Sequence, residues 1–350
     1  MTVAPSLLGL LGLVPAAHAV DGEVAIRIGG RTEPEAALEQ PAEWEPAEEF
    51  EPAALTILSA RVGHQDGDGP WWRVSGAAWG VAPEGESSLL SLTPQAGVSS
   101  LAGPWRLDVA GRTDLQAYVV EEGDASSVRG EVFASITRPS DRWIPRLSVV
   151  GIARQYPIQP TWSFRSVEPA VELTYRRDDG WVRWTGSGQA NHHQDVLGTQ
   201  VRTGVTMGLT GAKAELWGGY GLIAAQGGGT QAAARPPFTP LGDYAADADA
   251  LSAGGFLQHR VDIGTSMFLG DWTVRASGLA RLRQSVQLDP ATFDRTGHGQ
   301  LDVERPFGGP WTGVATVGVS GARLVGGGSY TDVYGWLGVR WTPRKADDEG

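Results

Sequence analysis

The residues of this sequence that could do chemistry are charged side chains spaced two apart, and most of the basic ones are arginines. Arg275, Arg281 and Arg283 share one parity within a strand-like segment, so alternation across a strand would place them in one basic stripe. Such a stripe could select anions or bind acidic sugars. Asp302 and Glu304 of the next such segment would face the same way and could pair with it across the sheet. We favour the ion-paired wall over a selectivity device.

The same spacing recurs in three other segments, where charged residues of one parity lie opposite apolar residues of the other. We expect these residues to line the same face as the basic stripe: Arg106, Asp108, Arg112, Asp114, Arg202, Arg260 and Asp262.

Catalytic and metal chemistry have weaker support in the sequence. There is no Cys and no G-x-S-x-G motif, so two common nucleophile arrangements are absent. Glu168 and Glu172 would stand about 13 Å apart on one strand face, at ~3.3 Å per residue, which is too far for a glycosidase pair. The segment 191–195, Asn-His-His-Gln-Asp, could hold a metal, but a solvated loop is the better interpretation, and His298 fits a turn. We assign no catalytic residue, metal or cofactor.

The elements that carry these residues read as long amphipathic strands. In 105–120 the apolar positions Trp105, Leu107 and Val109 alternate with Arg106 and Asp108, and the alternation continues to the end of the segment. Soluble strands are usually about 5–6 residues long, whereas a tilted membrane strand needs ~9–11. Similar segments are predicted near 54–63, 71–80, 89–99, 128–137, 143–154, 162–176, 181–190, 199–209, 212–224, 251–269, 272–285, 299–307, 311–324 and 330–341.

The connections between these segments predict a strand count. Tight connections at 138–142, 177–180, 210–211, 270–271 and 308–310 alternate with long ones near 188–198, 225–250 and 286–298, as expected for periplasmic turns and extracellular loops. This alternation requires one more strand at the start, for which 22–30 is the candidate. The sequence therefore predicts an all-β, antiparallel up-and-down transmembrane β-barrel of 16 strands. The alternative has 14 strands, with 31–52 as a periplasmic linker instead of an external loop.

The ends of the chain lie outside the predicted barrel of residues 20–342. Residues 1–19 have an apolar run and finish in Ala17-His18-Ala19, which indicates a cleavable signal peptide, and residues 343–350 form a tail. The segment 31–52 holds eight Glu against Arg31, so much of the net charge of −12 is concentrated there. No basic patch of the kind that binds nucleic acid is present.

Tryptophan is unusually abundant, with 14 residues, and its positions agree with the strand directions. Eight tryptophans lie at strand ends that would all meet one membrane face, and we predict that they form a periplasmic aromatic girdle in contact with outer-membrane lipids: Trp71, Trp72, Trp105, Trp143, Trp181, Trp272, Trp311 and Trp341.

With its signal end, its strand pattern over 22–341 and an aromatic-ended last segment, Tyr334 to Trp341, the chain resembles the bacterial outer-membrane β-barrel superfamily. That resemblance implies an outer-membrane location and recognition of the last strand by the barrel assembly machinery. The nine residues after Trp341 depart from the pattern, which usually stops at the aromatic. The resemblance is to an architecture and not to a functional subfamily.

Three functions are compatible with these observations. The first is a porin-like channel or export pore for polar solutes or polysaccharide, since 16 strands can enclose an aqueous lumen. The second is a non-conducting scaffold barrel with envelope or export partners. The third is a secreted soluble β-sandwich or propeller that binds carbohydrate.

Overall fold

The computed structural model describes residues 21–31, 53–64, 68–82, 89–118, 126–158, 160, 163–193, 196–226, 255–285, 293–323 and 329–343. These residues form sixteen strands: β1 (Asp21–Arg31), β2 (Ala53–His64), β3 (Gly69–Ala82), β4 (Leu89–Ala102), β5 (Trp105–Tyr118), β6 (Ser127–Thr137), β7 (Trp143–Gln155), β8 (Phe164–Arg177), β9 (Gly180–His193), β10 (Val196–Thr210), β11 (Ala214–Gln226), β12 (Phe256–Leu269), β13 (Trp272–Ser285), β14 (Phe293–Gly308), β15 (Trp311–Arg323) and β16 (Ser329–Trp341). None of the described residues forms a helix able to cross a membrane.

Every strand pairs antiparallel with its neighbours in the sequence, and the sheet closes on itself. The closing ladder joins β1 to β16 and runs from Val24 opposite Trp341 to Arg31 opposite Tyr334. The prediction of an up-and-down barrel with 16 strands is therefore confirmed. The 14-strand alternative is wrong because 22–30 is part of the barrel wall, and the sandwich and propeller alternatives are wrong because the sheet has no free edge.

Alternation decides which side chain faces which way. In β1, Ile28 is 63% exposed on the outside of the barrel, while Ala25, on the opposite face of the strand, is 1% exposed. The same period of two continues around the wall, because residues paired across a ladder share a face. The sequence pattern therefore sets both the strand length and the two surfaces of the barrel.

The two ends of the barrel differ in their connections. At one end, which we call the short-turn end, no connection is longer than the five residues 138–142. At the other, the long-loop end, connections range from residues 194–195 to residues 227–255. This asymmetry is typical of outer-membrane barrels, in which the longer loops are extracellular.

Two predicted loops are largely strand. The expected loop 188–198 is wrong because β9 continues to His193 and β10 starts at Val196, paired with it. The expected loop 286–298 is too long because β14 starts at Phe293. Glycines and polar residues at these positions look loop-like, yet they extend the wall beyond the apolar belt, where a strand needs no apolar face.

Several predicted segments lie outside the described residues. These are the signal peptide 1–19, most of the acidic segment 31–52, nearly all of the connection 225–250 and all but Pro343 of the tail 343–350.

Candidate functional site

The candidate site is the interior surface of the barrel, which is polar where the exterior is apolar. On β10, Gln200 is 4% exposed in the interior, whereas its neighbour Val201 is 63% exposed on the outside. Gln258 on β12 is likewise 1% exposed, and its neighbours on the outer face include Val261 and Ile263, which are well exposed. A soluble protein buries its apolar residues, so this inverted arrangement requires an apolar medium outside and polar contacts inside.

All twelve charged residues that the sequence predicts to share one face lie on the interior side, hereafter the lumen. Strand β5 carries Arg106, Asp108, Arg112 and Asp114, and β10 carries Arg202. Strand β12 carries Arg260 and Asp262, β13 carries Arg275, Arg281 and Arg283, and β14 carries Asp302 and Glu304. The barrel spreads them around the wall, so they form several groups.

The first group lies on β4, β5 and β6 near the short-turn end. Arg106 Nε lies 3.0 Å from Asp108 Oδ1, which also accepts a hydrogen bond of 2.7 Å from Ser99. Ser135 donates to the other Asp108 oxygen at 3.5 Å and accepts from Arg146 at 3.4 Å. The carboxylate of Asp108 is therefore fixed on several sides, and its ion pair is part of the wall.

The second group crosses β5 and β6 at mid-height. Arg112 pairs with Asp114 at 3.2 Å and with Glu131 at 3.2 Å, and Arg129 reaches the same Glu131 oxygen at 3.2 Å. One carboxylate is thus shared by two guanidinium groups. Charge-assisted contacts of this kind restrict the positions of long side chains on the wall.

A third group is built around Arg202 on β10. Its guanidinium contacts Glu168 at 3.5 Å and donates to Gln189 at 2.7 Å, while Ser187 donates to Glu168 at 2.7 Å. The carboxylate is on β8 and the amide on β9, so this group ties three consecutive strands together.

The fourth group contains part of the predicted basic stripe. Arg275 lies 2.8 Å from Glu304, and Arg340 of β16 contacts the other Glu304 oxygen at 2.8 Å. Asp302 accepts hydrogen bonds from Thr316 at 2.6 Å and Gln300 at 2.7 Å. The predicted pairing across the ladder therefore forms between Arg275 and Glu304, and Asp302 has polar neutral neighbours.

Nearer the long-loop end, the stripe has different partners. Arg283 donates to Gln258 at 3.0 Å and stacks its guanidinium over the Phe256 ring at 4.3 Å. Arg281 has an interaction of its own in the structure. On β12, Arg260 pairs with Asp262 at 2.7 Å. The stripe is thus heterogeneous: Arg275 is ion-paired with a carboxylate, whereas Arg283 contacts an amide and an aromatic ring.

Arginine outnumbers carboxylate on the lumen face. Among residues whose side chains the structure describes, the arginines on inward positions are Arg27, Arg61, Arg73, Arg106, Arg112, Arg129, Arg146, Arg154, Arg176, Arg183, Arg202, Arg260, Arg275, Arg281, Arg283 and Arg340. The corresponding carboxylates are Glu23, Asp108, Asp114, Glu131, Glu168, Glu172, Glu215, Asp262, Asp302 and Glu304. The described lumen wall therefore carries a positive excess although the whole chain is acidic.

Six of the eight predicted girdle tryptophans point outward, and all eight lie at the short-turn end. The outward ones are Trp72, Trp105, Trp143, Trp272, Trp311 and Trp341. Basic side chains sit over two of them, with Arg138 5.9 Å from the Trp105 ring centre and Arg305 4.8 Å from that of Trp272. Arginine over tryptophan at this height can reach lipid headgroups while the ring stays in the interface.

Trp71 and Trp181 are corrections to the girdle, because both face the lumen. Trp71 precedes outward-facing Trp72, so alternation turns it inward, where its ring lies against Gly97. Trp181 precedes exposed Val182 and lies against Gly208. In both cases a glycine on the next strand makes room for the ring inside the barrel.

Sequence reasoning missed several lumen residues. Arg146, Arg154 and Arg183 were not singled out because their segments place apolar residues on both faces, for example Ile144 and Ile152 on the lumen side of β7. The parity of Arg146 and Arg154 relative to Leu147, and that of Arg183 relative to Val182, would have found them. Trp217 was also missed: it faces inward against Gly264.

The histidine motifs occupy strand positions. His192 lies in β9, and His298, expected in a turn, lies in β14 with its Nε2 3.3 Å from the Tyr334 hydroxyl. Among the described residues, no group of three or more potential metal ligands is present.

Comparison with known proteins gives the fold alone. No family model and no curated protein matches the sequence. The fold resembles a bacterial polysaccharide outer membrane secretin at a TM-score of 0.54 and 11% identity, covering 92% of this chain and 98% of that one. It also resembles Acinetobacter baumannii OccAB4 (TM-score 0.52, 8% identity, 94% and 99% covered). Pseudomonas aeruginosa OpdQ is similar as well (TM-score 0.51, 9% identity, 93% and 99% covered). The chain has the fold of the bacterial outer-membrane β-barrels.

Proposed function

We propose that this chain is an outer-membrane channel that lets polar solutes or a polysaccharide cross through its lumen. The observation that carries the proposal is the inverted barrel, in which arginines, carboxylates and amides line the interior of a closed wall of 16 strands. Barrels of 16–18 strands are wide enough to keep an aqueous channel. Charged side chains held against such a wall keep their hydration on the lumen side.

The apolar exterior supports the location. Outward residues such as Leu337, Val132 and Met207 are exposed, and tryptophans lie at the short-turn end of the same surface. An apolar surface of this extent is unfavourable in water and favourable in lipid. One of the proteins with a similar fold is a bacterial polysaccharide outer membrane secretin, and this similarity supports a transport role for the architecture.

Proteoliposome swelling tests the proposal. Vesicles that contain the folded barrel should swell in isosmotic arabinose faster than vesicles with heat-unfolded protein, because the sugar and water enter through the lumen. Swelling no faster than this control, with protein that still migrates as a folded barrel on gels, would reject the channel in favour of a non-conducting scaffold barrel.

A further inference from the structure

We infer that a cleft in the lumen wall, formed by Arg146, Arg176, Arg183 and Trp181, binds a sugar residue that carries a carboxylate. The inference rests on the proposed channel function and names the class of solute that this wall would recognise. The cleft lies at the short-turn end, where β7, β8 and β9 carry these side chains on their inward positions.

The size of the cleft suits one ring. Its volume is about 250 Å³, and its wall also includes Glu172 and Thr174. Pockets that enclose drug-sized ligands are usually larger, about 300–1,000 Å³. A cleft of this size on an open wall can hold one residue of a longer chain while the rest extends along the lumen.

The charges in the cleft favour an anion. The cleft is lined by three arginines and a single carboxylate, that of Glu172, which is 3.6 Å from Arg183 and accepts a hydrogen bond of 3.4 Å from Thr174. Arg146 stands directly opposite Glu172 in the ladder between β7 and β8. Three positive charges against one leave an excess that a ligand carboxylate can neutralise, and arginine binds carboxylates through two parallel hydrogen bonds.

Arg146 adds a buried donor. Its Nε is buried and has no hydrogen-bond acceptor among the described residues, although another nitrogen donates to Ser135 at 3.4 Å. Asp108 lies beyond Ser135 and is held by Ser99 and Arg106. Arg146 forms no ion pair among the described residues, so the positive charge of its guanidinium is available to an anion in the cleft.

Trp181 supplies a flat surface beside these charges. Its ring lies against the wall because Gly208 has no side chain there; a Cβ at Gly208 would lie 2.5 Å from the indole Nε1. Arg176 is directly opposite Trp181 in the ladder, and the Arg183 guanidinium lies over the indole ring, with its central carbon 5.1 Å from the ring centre. The electron-rich face of an indole attracts the partly positive C–H groups on one face of a sugar ring. A guanidinium next to an indole therefore matches a uronic acid.

The chain provides a matched control. Trp217 also lies on the lumen side at the short-turn end and rests against Gly264, but its strand neighbour on the same face is Glu215. Trp71, Trp181 and Trp217 thus all lie against a glycine in the lumen, and the cluster of three arginines distinguishes Trp181. A purely structural role for the ring would make Trp181 and Trp217 equivalent.

Calorimetric titration of the folded barrel in detergent tests the inference, with tetragalacturonate as the probe and maltotetraose as the neutral comparison. We expect tetragalacturonate to bind at least tenfold more tightly than maltotetraose. Arg176→Gln should weaken its binding about tenfold, the loss expected for one charge-assisted contact. Trp181→Ala should also weaken it about tenfold, because the flat surface for the sugar ring is lost. Trp217→Ala should leave the affinity within twofold.

Three outcomes would overturn the inference: equal binding of both oligosaccharides, equal losses in Trp181→Ala and Trp217→Ala, or displacement of tetragalacturonate by equimolar sulfate. Arg176 is exposed, so Arg176→Gln keeps the test decisive if Trp181→Ala fails to fold. The titration needs no transport. If the barrel conducts but does not bind tetragalacturonate, the binding inference is wrong and the channel function stands. If it binds tetragalacturonate but does not conduct, the channel function is wrong and the binding inference stands.

Discussion

At the scale of single residues, the wall is organised by carboxylates that serve more than one arginine. Glu304 is the clearest case, since it joins Arg275 of the adjacent strand β13 to Arg340 of β16, two strands away from β14. Without this carboxylate, the two guanidinium groups would repel each other. The carboxylate between them therefore stabilises the local arrangement of three strands.

Replacing this carboxylate should destabilise the barrel. We expect Glu304→Gln to lower the free energy of unfolding by about 1 kcal/mol, a value reduced because the lumen water screens the pair. Urea titration of the barrel in lipid vesicles measures the change. Glu215→Gln is the control, because it removes the same charge from an exposed lumen position of the same end. Equal losses in the two variants would contradict a bridging role for Glu304.

The direction of individual tryptophans shows where sequence reasoning reaches its limit. Trp71 and Trp72 are adjacent in one strand, so one of them has to face the lumen. The sequence does not show which of the two faces the lipid. Trp181 is followed by Val182, and two apolar neighbours leave the parity open. The deciding feature is a glycine on the adjacent strand, Gly97 or Gly208, and its relevance depends on register.

At the scale of elements, the closing ladder between β1 and β16 is unusually close at two glycines, Gly29 and Gly338. A Cβ on Gly29 would lie 1.9 Å from the carbonyl oxygen of Gly335, and a backbone atom cannot rotate away as a side chain can. Glycine is thus required where the first and last strands meet. The β1–β16 ladder, which we call the seam, depends on this close approach of the two backbones.

A methyl group at the seam should weaken closure. We expect Gly29→Ala to lower the free energy of unfolding by about 1–3 kcal/mol, the usual cost of overpacking. Gly221→Ala, on the lumen face of β11 where a Cβ makes only ordinary contacts, should change it little. The temperature at which the folded gel band disappears compares the two. The seam argument is wrong if both variants melt together.

The two faces of one strand make a second comparison. Val149 is exposed on the outside of β7 near its centre, and its neighbour Ser148 faces the lumen. Val149→Arg should cost about 2–4 kcal/mol, the range for a cation at the bilayer midplane, whereas Ser148→Arg should be tolerated. Urea titration in vesicles provides the measurement. A larger loss for Ser148→Arg would reverse the assignment of inside and outside.

Strand number was predictable from the sequence, and strand length at the long-loop end was not. The alternation of apolar and polar residues identified fifteen segments because a lipid-facing strand carries an apolar residue at every second position, and the alternation of short and long connections required the sixteenth. A strand that extends beyond the lipid needs no apolar residues on its outer face. His192 and His193 can therefore extend β9 without an apolar pattern. His298 likewise joins β14 through a contact with Tyr334, a residue 36 positions away, which no local pattern reveals.

At the scale of the whole molecule, the orientation of the barrel in the membrane remains a prediction, with the short turns in the periplasm. The natural chain has no Cys, so single cysteines report without background. In intact cells, Thr230→Cys in the longest connection should react with a membrane-impermeant maleimide. Asp271→Cys in a short turn should react only after the outer membrane is permeabilised. Labelling of Asp271→Cys alone in intact cells would invert the orientation.

The arginine-rich lumen, the apolar exterior and the closed sheet together support our proposal that a continuous aqueous path crosses the membrane through this barrel. Single-channel recording in planar lipid bilayers measures that path most directly. We expect purified, folded barrel to produce stepwise, ohmic increases in current, with a reversal potential in a salt gradient that shows a preference for anions because the described wall carries more arginines than carboxylates. A folded barrel that inserts into the bilayer and gives no current steps would contradict the account.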